Sequence, residues 1–80
     1  MNFAYILKSL KDGTHYYGST AKLKERLKIH NSGKVKYTKA YKPLALHYYE
    51  EFQTRSEAVR REKFFKTING YKWLKSNSII

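Results

Sequence analysis

No cysteine occurs among these 80 residues, so neither disulfides nor thiolate zinc ligands are open to the fold. That fits a reducing compartment. A single proline and four glycines leave no room for a flexible or low-complexity linker, and no internal repeat is visible. No apolar run reaches the roughly 18 residues of a membrane span. The opening MNFAYILKSL lacks the basic lead and long apolar stretch of a signal peptide, so a cytoplasmic protein is expected. Acidic residues are scarce: 6 Asp+Glu stand against 17 Lys+Arg, for a net charge of +11. Such a surplus points to a polyanionic partner, most often nucleic acid. No long helix has a basic face opposite an apolar one, which disfavours a membrane-surface role.

The length suits one small domain over 1–80, acting as a monomer by default, with a thin core that buries roughly 60% of the unfolded surface. Residues 2–9 (NFAYILKS) are β-rich and apolar on both faces, as a central strand is. Asp12-Gly13 marks a turn, and 14–20 (THYYGST) resume as the second strand of an antiparallel hairpin. Thr20 is placed to cap a helix over 21–31, which stops at Asn31-Ser32-Gly33. Residues 32–43 form a basic, tyrosine-bearing loop, and 44–52 (LALHYYEEF) a third strand. Thr54-x-x-Glu57 reads as a capping box opening a helix over 54–69 that Asn69-Gly70 stops. A short helix over 71–75 packs Trp73 and Leu74, and the tail SNSII frays. The order β-β-α-β-α-α predicts an α/β (α+β) fold: a small three-stranded sheet, antiparallel or mixed, flanked by helices.

Charge falls where grease is expected. At about 100° per residue, Ala58, Phe65 and Ile68 share one arc of the long helix, and Glu62 lies on it. In 21–31, Leu23 and Leu27 define the inner stripe, and Arg26 and His30 share it one turn apart. An inward charge is costly unless paired, solvated in a cleft or metal-bound. Glu62 has bland partners in Arg61 or Arg26, and the Arg/His pair has a bland reading as an exposed rim. On the hairpin, a four-residue loop sets position 7 opposite 16 and 5 opposite 18, making Tyr5 and Tyr16 diagonal neighbours on one face. A tighter turn keeps them on that face but further apart. Both are otherwise ordinary sheet aromatics. Gly18 leaves space beside them. His15 and His47 lie on strands outside any motif and read as structural, and Trp73 reads as a core plug.

Taken together, these residues resemble the GIY-YIG nuclease superfamily, closest to small stand-alone proteins related to the N-terminal nuclease domain of the UvrC excision-repair subunit. Phe3-Ala4-Tyr5 stands at the first half-motif and Tyr16-Tyr17-Gly18 at the second. Arg26 and His30 stand at the helical positions. The segment SEAVRRE places the family's metal-binding carboxylate at Glu62. The stretches HNSGK (30–34) and TRSEAVRREK (54–63) look like the stand-alone group. Phe3 and Ala4 replace the Gly and Ile that name the motif, Tyr17 replaces the second Ile, and Ser19 stands where the excision-repair branch carries a lysine. The late asparagine of several members has two candidates here, Asn69 and Asn77.

The resemblance implies phosphodiester hydrolysis in DNA, RNA not being excluded, with one Mg²⁺ or Mn²⁺ ion on Glu62. It implies that Arg26 grips the scissile phosphate. Tyr16 or Tyr5 contacts or deprotonates the attacking water, and His30 orients a tyrosine or shuttles a proton. Lys22, Lys34, Lys36, Lys39 and Lys42 are expected to meet phosphates, although a lysine loop is also compatible with plain solvation. Nothing reads as a base-reading helix, so little sequence specificity is expected. The competing expectation is a non-catalytic nucleic-acid-binding module that keeps the fold.

Overall fold

β1 (Asn2–Ser9) is apolar on both faces because both are covered in the computed structural model, which describes residues 1–80. It is the middle strand of a three-stranded sheet in the order β2-β1-β3, with β2 at His15–Thr20 and β3 at Leu44–Phe52. Both pairings are antiparallel, so the sheet is not mixed. Alternation along β1 splits the core in two. Tyr5 and Leu7 join Leu44 under α1 (Leu23–Asn31), with Tyr16, Leu23 and Leu27 around them. Ala4 and Ile6 join Phe65 and Leu74 under α2 (Arg55–Phe65) and α3 (Ile68–Ser76). Each fully buried side chain of the size of Phe65 or Leu74 contributes about 1.5–3 kcal/mol. The fold is α+β, a sheet with helices on both faces.

The hairpin takes the register of the four-residue loop: Tyr5 pairs with Gly18 and Leu7 with Tyr16. What approaches Gly18 is Tyr5 itself. A Cβ at position 18 would lie 2.4 Å from the Tyr5 hydroxyl oxygen. Ser9 Oγ accepts from the backbone N–H groups of Lys11 and Asp12, which rounds the turn.

Four local expectations are corrected. Thr20 does not cap α1, because it is held in β2 opposite Phe3. Lys22 occupies the cap position and makes no side-chain cap bond. The helix over 54–69 is really two. The Thr54–Glu57 capping box opens α2, but α2 ends at Phe65, and Thr67 caps a new helix by accepting from the Gly70 N–H at 3.0 Å. Ile68 is therefore 75% exposed at the start of α3 rather than inward on α2. Gly70 does not stop a helix. It sits inside α3, where the missing Cβ lets the backbone approach the Phe64 carbonyl. Nor does the tail stand free. The Ile79 N–H donates to the Leu74 carbonyl, His47 bonds the Ile79 carbonyl, and Ile79 and Ile80 pack on the second core.

Arg61 points inward from α2 and shows why Trp73 is half-buried. Its guanidinium lies 4.4 Å over the Trp73 ring and donates to both Glu50 oxygens, at 2.7 and 3.3 Å. Glu50 also accepts from the Tyr48 hydroxyl. Burial, and then that bond, push the Tyr48 pKa up to about 12.

Candidate active site

The inner stripe of α1 lies over Tyr5, and the polar cluster is built there. His30 is fully buried, not an exposed rim. Its Nε2 sits 3.2 Å from the Tyr5 hydroxyl and its Nδ1 2.8 Å from the Thr38 hydroxyl. The Tyr16 ring packs 4.9 Å from the His30 ring. Arg26, one turn earlier, is half-buried. Burial raises the Tyr5 pKa, the neighbouring Arg26 guanidinium lowers it, and Tyr16 and Glu62 raise it. His30 thus meets the Tyr5 phenol directly, and Arg26, Tyr16 and Glu62 act on it electrostatically, the four residues coming from three elements. The Glu62 side chain is 20% exposed, and its carboxylate accepts from Lys66 Nζ at 2.8 Å. Its partner is neither Arg26 nor Arg61.

Burial, and then the neighbouring Arg26 charge, hold His30 below the usual imidazole range. His15, whose ring lies 5.1 Å from that of His47, is likewise depressed by burial and by His47. With Tyr5 raised and His30 lowered, both are neutral at pH 7. A neutral imidazole can accept a hydrogen bond from the Tyr5 hydroxyl at Nε2 while donating from Nδ1 to Thr38. The linkage has a definite sign. The unfolded histidines titrate near pH ~6.5, and the folded ones resist protonation. Their stabilisation is therefore complete above about pH 6.5 and is lost as the pH falls through the lower folded values. Thermal melts should show a level midpoint from pH 7.5 to about 6.5 and a falling one towards pH 5. A level midpoint over the whole range would show that neither histidine is depressed.

Several contributors gave no sequence signal. Thr38 is buried in the basic loop, where no periodicity marks an inward position. Asn31, legible only as a helix stop, clamps α1 to β3. It accepts from the Leu44 N–H at 2.6 Å and donates to the Leu44 carbonyl at 2.8 Å. The loop is also tied to the end of β1, where Ser9 Oγ donates to the Tyr41 carbonyl at 2.6 Å. Lys34, Lys36, Lys39 and Lys42 are all exposed on this anchored loop. Lys22 stands apart from them. It lines a groove with Phe3, Leu27 and Tyr49 and lies 3.9 Å from Glu25. No group of three or more His, Cys, Asp or Glu side chains is clustered. A cation here would rest on one carboxylate, Glu62, with water and substrate oxygens completing its shell. That donor set suits a hard ion such as Mg²⁺.

A comparison with protein families matches residues 1–74 to the GIY-YIG catalytic domain. The chain belongs to the GIY-YIG family. A GIY-YIG domain is of nuclease type, which implies a nucleic-acid substrate in general. Among curated proteins, a UPF0213 protein of Bacillus licheniformis is 45% identical over 69 residues, covering 85% of this chain and 70% of its own length. A UPF0213 protein of Staphylococcus haemolyticus is 43% identical over 75 residues, covering 92% and 90%. Among solved structures, the solution NMR structure of a UPF0213 protein from Bacillus halodurans is 38% identical with a TM-score of 0.54, covering 95% of this chain and 84% of that one. It shares the GIY-YIG arrangement of sheet and helices. No helix is long and apolar enough to cross a membrane.

Proposed function

We propose that residues 1–80 form a single cytoplasmic nuclease domain that hydrolyses phosphodiester bonds in DNA with one divalent ion, Mg²⁺ or Mn²⁺. It acts as a monomer in DNA repair or processing, with little sequence specificity. The observation that supports this most is the gathering of Arg26, Tyr16, His30 and Glu62 around the buried Tyr5 hydroxyl. Diester hydrolysis needs an aimed water, a base and positive charge on the non-bridging oxygens. Glu62 would hold the ion, which supplies part of that charge when bound. Arg26 supplies the rest, its planar fork matching two phosphate oxygens. Tyr5 is held as the neutral phenol, because burial raises its pKa and its hydroxyl is engaged with His30. Tyr16 is left to contact and orient the attacking water through its phenol oxygen. His30, neutral and fixed by Thr38, positions Tyr5. The loop lysines hold the flanking phosphates, which adds affinity without sequence choice.

One observation favours a second reading, a binding module without turnover. Lys66 already neutralises Glu62 within the fold. A gel separates the two. Duplex, single-stranded and branched DNA are incubated with the wild-type protein in Mg²⁺, Mn²⁺ or EDTA. The nuclease cleaves at least one of them with an ion and none in EDTA. Salt-sensitive binding with no cleavage of any DNA by either ion would leave only the module.

A further inference from the structure

Tyr37 is 75% exposed, yet it is not loose: its ring packs 5.6 Å from that of Tyr16 at an angle of 48°. Tyr16 in turn packs against His30. An aromatic ring is thus held at the rim of the cluster with most of its surface in water. It helps line a groove of about 530 Å³ with His15, Tyr16, Tyr17 and Lys66, along the free edge of β2. That volume lies in the range of roughly 300–1,000 Å³ of small-ligand sites. The chemistry of the walls is mixed in a particular way. Phenol faces are available for stacking, and cations are available for phosphate. Lys66 donates to Glu62, but an ammonium has three donors and can serve a phosphate as well. Lys36, on the same loop as Tyr37, is exposed.

We infer that this groove seats an unpaired nucleotide next to the scissile phosphate, with its base stacked on Tyr37 and its phosphate near Lys66. A base inside a duplex is already stacked on its neighbours, and extruding it costs a few kcal/mol. A base in a gap, flap or single strand carries no such cost, so a surface tyrosine selects DNA that is locally unpaired. The position beside the scissile phosphate rests on the nuclease reading above. The preference for unpaired bases does not, and it is tested without cleavage.

The probe is a short DNA oligonucleotide carrying 2-aminopurine, used single-stranded or fully paired, in EDTA. Affinity is followed by anisotropy and stacking by quenching of the probe. Wild type should bind the single strand more tightly than the duplex and quench the probe. Tyr37→Ala should weaken single-strand binding about tenfold, leave duplex binding within about twofold and abolish the quenching. Tyr37→Phe, which keeps the ring, should behave as wild type. Tyr37 is a surface side chain, so thermal melts of the three proteins should coincide. Equal binding of paired and unpaired DNA by wild type would overturn the inference. So would an unchanged Tyr37→Ala protein, an equal loss on both DNAs, or a Phe variant as weak as the Ala one. Failure of the cleavage gel leaves this result standing, because no ion and no turnover enter it.

Discussion

Gly70→Ala is expected to destabilise the fold by at least about 3 kcal/mol. Alanine normally stabilises a helix interior over glycine by about 1 kcal/mol, so the intrinsic propensity predicts a gain. The local geometry predicts the opposite. A Cβ at position 70 would lie 1.8 Å from the Phe64 carbonyl oxygen, 2.6 Å from its carbon and 2.9 Å from the Phe65 Cα. All three are backbone atoms of the last turn of α2, so no rotamer change relieves the overlap. α3 has to move away, taking with it Leu74, which is fully buried, and Trp73, which stacks under Arg61. Overpacking within a core costs about 1–3 kcal/mol, and displacing a helix adds to that, so a loss of at least about 3 kcal/mol is expected. An 80-residue domain holds only roughly 4–12 kcal/mol in total. Trp73 is the only tryptophan and sits at the affected contact, so urea titration followed by its fluorescence reads the change directly. A variant as stable as wild type, or more so, would show that α2 and α3 do not meet as closely as described.

The contrast between Gly70 and Gly33 shows where the sequence was legible. Gly33 follows the last residues of α1 with φ at 82°, a left-handed value that a helix stop calls for, and its sequence neighbours mark it as one. Gly70 gave the same local signal after a long periodic segment, but its reason for being glycine is tertiary. The break lies earlier, at Thr67, because α3 must fold back for Leu74 to reach the face of the sheet that holds Phe65. Strand positions and the hairpin register follow from period-two alternation and from loop length, both local quantities. The paired tail does not: Ile79 is ordered by the carbonyl of Leu74 and by His47 from β3, contacts that a reading of local composition cannot see.

The site divides in the same way. Arg26, His30 and Glu62 were legible because each breaks an apolar stripe, and a broken stripe is a statement about which way a side chain faces. The salt-bridge alternatives for Glu62, Arg61 and Arg26, are not its partner, which is Lys66. Arg61 lies next to it in sequence but about 100° round the helix, where it meets Glu50 instead. Thr38 and Tyr37 were invisible as individuals, since an irregular loop has no period to violate. Only the anchoring of that loop, through Ser9 to Tyr41 and through Asn31 to Leu44, puts Thr38 under His30 and Tyr37 beside Tyr16.

Under the proposed nuclease reading, Arg26→Ala is expected to lower single-turnover DNA cleavage by roughly 10³-fold, the scale seen when a charge-stabilising donor is removed from a phosphoryl or acyl transfer site. Arg26→Lys should recover only part of this, because a compact ammonium cannot span two phosphate oxygens as the guanidinium fork does. Glu62→Ala should remove ion-dependent cleavage to a similar extent, since no second carboxylate is grouped with it. The double variant should be little worse than either single one, because the two groups act on the same phosphate and their losses do not add. Loss of fold does not explain these outcomes. Arg26 forms no ion pair, and Glu62 gives up only its helical i,i+4 contact with Lys66, worth about 0.3–0.5 kcal/mol. Melts of all four variants should therefore stay near that of wild type. Binding to DNA in EDTA should weaken only modestly, because the exposed lysines of the loop remain in place. The demanding comparison is between rate and affinity. A variant lacking both Arg26 and Glu62 that still cleaves at the wild-type rate would detach the buried phenol cluster from the chemistry altogether.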